Sequence, residues 1–364
     1  MLLIYDFNDV LQSDSEMHSI EEKVVHKVLD ETLVAQNRIH GSVADLPEVF
    51  TSLNAVAGNL VAGNPIVIHH WGVSDSDGHD MDVCLPIKEE IEGNELTSVK
   101  LPRKDAMTMI HRGPYSEINH SYSRVSRHTY ERGHPIAEST REVYYNLDIE
   151  HPENTVIEIQ AILHDWTERY MAKLEAVLGL EAKDEILAPI SKLSIDSPAD
   201  VRQKALCESL GILENMANGE QQFEILSHCA HVYPIELIPP MRDLFRSTRS
   251  VDIVIEAMTS KGGYYPKLLR REGSIIYSEK SPANPSAYKE SKNAAERRRA
   301  YCFCPLIRDC LDETPEVFCY CSAGWPKQLW EGILEHPLKI EIVKSLTKGD
   351  DTCEFAIHLP KGVT

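Results

Sequence analysis

The chemistry most open to reading from residue type lies in the cysteines, which gather late in the chain as Cys302, Cys304, Cys310, Cys319, Cys321 and Cys353. Thiolates are preferred zinc ligands, and Cys319, Cys321 and Cys353 with Glu341 would supply four donors if the fold converges them. The C-x-C spacing of Cys319 and Cys321 is less common for zinc than C-x-x-C, because near-adjacent ligands strain a tetrahedral site. Two other roles stand beside it. Free cysteines serve as small buried hydrophobes, and a thiol at a helix start can be activated as a nucleophile, for which Cys304, before Pro305, and Cys321 come first. Zinc is the one cofactor these residues suggest, and none is required. The histidines His69, His70, His79 and His111 show no metal-binding spacing. Neither does the acidic stretch Ser74 to Asp82 follow the ligand order of a calcium loop.

A second set of polar residues stands at matching positions of an internal repeat. Each copy begins with a strand, Thr32 to Ile39 or Asp105 to His111, which gives way at Gly41 or Gly113 to a helix. Apolar residues recur at helical spacing as Val49, Leu53, Val56 and Leu60 in the first copy, and as Ile118, Tyr122 and Val125 in the second. G-N-P-I (Gly63 to Ile66) and G-H-P-I (Gly133 to Ile136) supply stop signals. Two strands close each copy, the last being Met81 to Leu85 or Val156 to Gln160. Asp82 and Glu158 are equivalent, each standing before Pro86 or Ile162. The reading is α+β: duplicated βαββ units, each with one helix over an antiparallel sheet, leaving a groove along their shared axis for polar strand residues to line. A second α+β domain ending in a β-hairpin follows.

The division runs as residues 1–164 for the groove domain, 165–200 for a connecting helix and linker, and 201–364 for the cysteine-rich domain. Asp165 to Leu180 predicts an amphipathic helix with Trp166, Tyr170, Leu174, Val177 and Leu178 on one side. Pro189 and Pro198 mark the linker. The closing run from Lys339 to Leu359 alternates about Lys348-Gly349-Asp350-Asp351 and predicts the hairpin. Nine cysteines are an odd count and no secretory leader is legible in Met1 to Val10, so a disulfide framework is not expected and a cytoplasmic location is. A net charge of −20 argues against a nucleic-acid surface. No apolar run is long enough for a membrane helix.

The first half resembles the GyrI-like family, the effector-binding domain of bacterial transcription activators. The resemblance rests on H-R-G-P-Y (His111 to Tyr115), R-G-H-P (Arg132 to Pro135), R-E-V-Y (Arg141 to Tyr144) and E-I-Q from Glu158. It implies that Glu158 contacts a bound, often cationic lipophile, with Tyr144 in the same groove and Trp71, Asp82 and Tyr115 as further lining. A carboxylate beside aromatic faces suits a cation with an apolar body. Ile162 departs from the family's proline. About twenty residues precede the repeat, too few for a helix-turn-helix, so a stand-alone binding or sensing protein is expected, without direct nucleic-acid or membrane partners. The alternative is a hydrolase acting on a small electrophile, with Glu158 as general base and Tyr144 as proton donor, or a thiol- or metal-dependent activity in the second half. That half is similar to the 4-vinyl reductase-like family through Cys321, Gly324, Trp325, Glu341 and G-D-D-T-C-E-F. The resemblance implies zinc near the hairpin, although Ser345 stands where a cysteine would. A homodimer through this half is the other partner expectation.

Overall fold

The computed structural model describes residues 23–74, 78–91, 97–262 and 265–363, and the chain divides into two compact units between His164 and Asp165. Met1 to Val10 lies outside the described residues.

The first unit contains β1 (Val25–Leu29), β2 (Thr32–Gly41), α1 (Leu46–Ala57), β3 (Ile66–Ser74), β4 (His79–Pro86), β5 (Thr97–Leu101), β6 (Lys104–Arg112), α2 (Ile118–Glu131), β7 (Ile136–Asn146) and β8 (Val156–Leu163). One antiparallel sheet runs β1-β6-β8-β7-β3-β4-β2-β5. The repeat is therefore β2-α1-β3-β4 and β6-α2-β7-β8, joined through β3 and β7. Register preserves the equivalence: Asp82 lies opposite Arg38, and Glu158 opposite Ile110. At the junction Val67 pairs with Glu142.

β1 and β5 are additions to the βαββ plan. Each pairs with the first strand of the other copy, β1 with β6 and β5 with β2. Yet β1 runs into β2 through Asp30 and Glu31 alone, and β5 into β6 through Pro102 and Arg103. Neighbouring strands lie about 4.8 Å apart, so two-residue links cannot span a flat sheet of this strand order. The sheet curls into a half-barrel that draws each edge strand toward the strand following it in sequence.

Local chemistry explains the helices. The Ser42 amide donates to Asp45 Oδ2 at 2.7 Å, and Pro47 sits in the first turn of α1. Gly41 is needed there because a Cβ would come within 2.7 Å of that same oxygen. α1 ends at Gly58 (φ 53°), ahead of the expected stop at Gly63, so Leu60 falls outside the helix. Its buried face is Leu46, Leu53 and Ala57; Val56, expected on that stripe, is 44 % exposed. α2 stops at the expected Gly133 (φ 72°) and buries Ile118 and Val125. Strand alternation gives the sheet a helix-covered face, with Val67, Met81, Val83, Met109, Ile157 and Ile159, and an opposite face where Val34, Ile68, Cys84 and Leu101 form their own apolar cluster.

The second unit contains α3 (Trp166–Leu178), α4 (Leu180–Leu187), α5 (Ala199–Met216), α6 (Gly219–His228), α7 (Ile238–Thr248), α8 (Val251–Lys261), β9 (Leu268–Glu272), β10 (Ile275–Glu279), α9 (Pro285–Glu290), α10 (Ala294–Tyr301), α11 (Tyr320–Leu334), β11 (Lys339–Lys344) and β12 (Glu354–His358). Residues 165–200 contain the expected helix, as α3, followed by α4. Trp166, Tyr170 and Leu174 bury the expected side of α3, and Ile186 and Leu187 of α4 join the same core. The small sheet runs β11-β12-β10-β9 and closes with the β11–β12 hairpin. Gly324 is inside α11 and packs on α6, where an added Cβ would fall 2.1 Å from the Ser227 carbonyl oxygen. Among the described residues no helix is long and apolar enough to cross a membrane.

Candidate functional site

The residues that meet at the centre of the first unit are Tyr144, Tyr115 and a carboxylate the sequence reading passed over, Glu142. Glu142 and Tyr144 are two apart on β7 and so share the helix-covered face. α2 and the turn before it bring down two more phenols. Tyr122 donates to Glu142 Oε1 at 2.7 Å, Tyr144 to Oε2 at 2.5 Å, and Tyr115 to the same two oxygens at 3.2 and 3.3 Å. From β3, His69 Nε2 lies 3.2 Å from Oε2, while its Nδ1 is hydrogen bonded to His79 Nε2 at 2.9 Å with the two rings stacked. Phe50 of α1 meets Tyr144 edge-on, with ring centroids 5.3 Å apart.

Glu142 is 0 % exposed, whereas Tyr115, Tyr122, Phe50, His69 and His79 are half-buried. The carboxylate is thus fully buried beneath aromatic side chains that are themselves only half-buried. Burial works to raise its pKa, but the charge and hydrogen bond of His69 and the bonds from Tyr144 and Tyr122 outweigh it, so Glu142 is held below the ordinary carboxylate range. Burial, with Glu142 adding to it, pushes the Tyr122 and Tyr144 phenols well up, fixing them as neutral donors. Burial and then the His69 charge bring His79 down to about 4.

Glu158 is placed differently. It pairs with Val143, between Glu142 and Tyr144 in sequence, and therefore stands on the opposite face of the sheet. There it is 3 % exposed, receives Lys27 Nζ at 2.5 Å and accepts from Tyr145 at 2.8 Å. The expected meeting of Glu158 with Tyr144 does not occur. Asp82 shares Glu158's face, bound by His70 Nε2 at 2.6 Å; burial opposes its ionisation, and the His70 hydrogen bond and charge overcome it. Trp71 is in β3, and its side chain lies outside the described portion. The signal that could have found Glu142 was the E-x-Y alternation inside R-E-V-Y, since period two puts both residues on one face.

In the second unit the zinc set does not assemble. Glu341 is an exposed residue of β11, paired with Lys339 and with His358 at 3.0 Å. Its strand neighbour Ile340 takes the buried side, so Glu341 points away from the thiols. Among the described residues, Cys319, Cys321, Cys353 and Glu341 do not converge as a ligand group. Cys321 and Cys353 pack against apolar cores, and the buried Cys319 accepts a hydrogen bond from Thr347 at 3.2 Å. Burial pushes Cys302 up to about 12, Cys321 and Cys353 up to about 11, and Cys304 well up, so the start of α11 does not activate Cys321. The hairpin itself is held by Glu354, which Arg270 meets at 2.8 Å and Lys344 at 3.3 Å.

Residues 278–363 match a family of unknown function, DUF6144. No curated protein matches. Among solved structures, the C-terminal domain of EcmrR is similar at 17% identity, over 40% of this chain and 98% of that one, with a TM-score of 0.35. A hydrolase from Listeria innocua is similar at 13% identity, over 40% of this chain and 94% of that one, with a TM-score of 0.34. SAV2435, solved bound to tetraphenylphosphonium, is similar at 8% identity, over 40% of this chain and 96% of that one, with a TM-score of 0.30.

Proposed function

We propose that the first unit binds a small lipophilic organic cation in the aromatic enclosure above Glu142. The observation that carries this reading is a fully buried carboxylate, kept ionised, whose close partners are three neutral phenols and one imidazole. Among the described residues no lysine or arginine is paired with it, unlike Glu158 with Lys27, and the His69 ring is its charged neighbour. An ionised group in such a place gains most from a cation whose own hydration is weak, and the aromatic rim of Tyr115, Tyr122 and Phe50 suits the apolar body of that cation. The protein would act as a binder or sensor of such compounds. The hydrolytic alternative would use the same Glu142 as base and Tyr144 as proton donor.

The test is calorimetric titration of the whole protein with tetraphenylphosphonium, chosen because the similar SAV2435 was solved with it, beside neutral triphenylphosphine oxide. The expected result is binding of the cation at least tenfold tighter than the neutral compound, lost by at least tenfold in Glu142→Gln and retained in Glu158→Gln. Equal affinity of the wild type and Glu142→Gln would sink the assignment. Turnover of a strained electrophile that disappears in Glu142→Gln would move the site to the hydrolytic reading.

A further inference from the structure

We propose that Cys207 and Cys310 form a redox-active dithiol that reduces hydroperoxides and closes to an intramolecular disulfide, a site independent of the carboxylate enclosure. Cys207 lies on α5 and Cys310 in the segment between α10 and α11, so the fold brings together residues far apart in sequence. Both sulfurs sit on one hydroxyl: Thr314 Oγ1 is 3.8 Å from Cys207 Sγ and 3.5 Å from Cys310 Sγ. That hydroxyl is itself fixed by donating to the Cys310 carbonyl at 2.7 Å. Both cysteines are half-buried, as are Cys304, Cys321 and Cys353, whereas Cys84, Cys229, Cys302 and Cys319 are buried.

The pair is also polarised. A hydrogen bond from Cys310, ahead of the opposing effect of burial, brings Cys207 down to about 7, and the same bond pushes Cys310 up. Such asymmetry separates an attacking thiolate from a resolving thiol. The Cys207 thiol gives its proton to solvent, and the thiolate attacks the terminal oxygen of the hydroperoxide; an S–O bond forms, the O–O bond breaks, and the leaving alkoxide or hydroxide takes a proton back from solvent. The resulting sulfenic acid is attacked by Cys310 as its proton passes to the departing hydroxide. An S–S bond forms, the S–O bond breaks and water leaves. Two thiols are oxidised for each hydroperoxide reduced to alcohol or water.

The experiment treats the full-length protein with one equivalent of hydrogen peroxide and maps its peptides without reduction. A Cys207–Cys310 linkage with loss of two thiols is expected. Cys310→Ser should stop at the sulfenic acid and raise dimedone labelling of Cys207 at least tenfold, and Cys207→Ser should slow peroxide consumption at least tenfold. A linkage confined to other cysteines, with Cys207 still open to alkylation, overturns the proposal. So does unchanged peroxide consumption by Cys207→Ser. The mapping uses the unaltered protein and decides the matter even if a variant misfolds.

Discussion

The two faces of the curled sheet each bury one glutamate to nearly the same depth and neutralise it by different means. Glu158, at 3 % exposure, has the Lys27 ammonium and the Tyr145 phenol; Glu142, at 0 %, has only phenols and the His69 ring. A lysine supplies a whole charge from within the chain and closes the balance. At Glu142 the hydrogen bonds of the phenols are joined by the charge of the His69 ring, and among the described residues no ammonium is paired with it. The two glutamates thus reach nearly equal burial with different types of partner.

The comparison can be broken most severely at Glu142. Glu142→Ala removes the shared acceptor of the Tyr144 and Tyr122 hydroxyls, and a buried donor left unsatisfied costs about 1–3 kcal/mol. A loss of about 3 kcal/mol in urea unfolding is expected, and a loss under 1 kcal/mol would mean that these bonds are made equally well by water. Lys27→Met should cost less, about 1 kcal/mol or under, because the lysine is itself 45 % exposed and its pairing is screened. Equal losses in the two variants would erase the distinction between the faces.

Acid should weaken the Glu142 face in two stages. His79 titrates at about 4 in the fold, against 6.5 ordinarily, so between those values the unfolded chain binds more protons. Its contribution is complete above pH 6.5 and is lost as the pH falls to about 4. Solvent screening at this half-buried ring leaves on the order of 1 kcal/mol. Glu142, also lowered, loses its contribution in the same direction but only below the ordinary carboxylate value of 4.5. Unfolding free energies measured at half-unit steps should show both stages, with His79→Asn abolishing the upper one alone. A flat profile from pH 7 to 5 would contradict the burial of a neutral His79.

The finest discrimination comes from adjacent phenols. Tyr144→Phe removes a donor to Glu142 from a buried site and should cost about 1–1.5 kcal/mol, whereas Tyr145→Phe, at an exposed tyrosine serving Glu158, should cost about 0.5 kcal/mol or less. A reversed order, read from paired denaturation curves, would place the more constrained carboxylate on the other face.

Periodicity and turn chemistry in the sequence determined much of this fold: the βαββ repeat, the equivalence of Asp82 with Glu158, the stop at Gly133, the buried side of α3 and the closing hairpin all depend on residues near one another in the chain. Tyr144 and Tyr115, both named from the sequence as candidates, do come together on one carboxylate. The family resemblance gives Glu158 as their carboxylate, and a motif match says where a residue stands along a strand. Only the cross-strand register decides which residues share a face with it, and here Glu142 shares one with Tyr144 and Glu158 does not. Tertiary structure alone also decided the exchange of β1 and β5 between the two copies, the meeting of Cys207 with Cys310 at Thr314, and the outward turn of Glu341. Each depends on partners distant in sequence, and residue spacing fixes the direction of a side chain within its own element but carries no record of what another element brings against it.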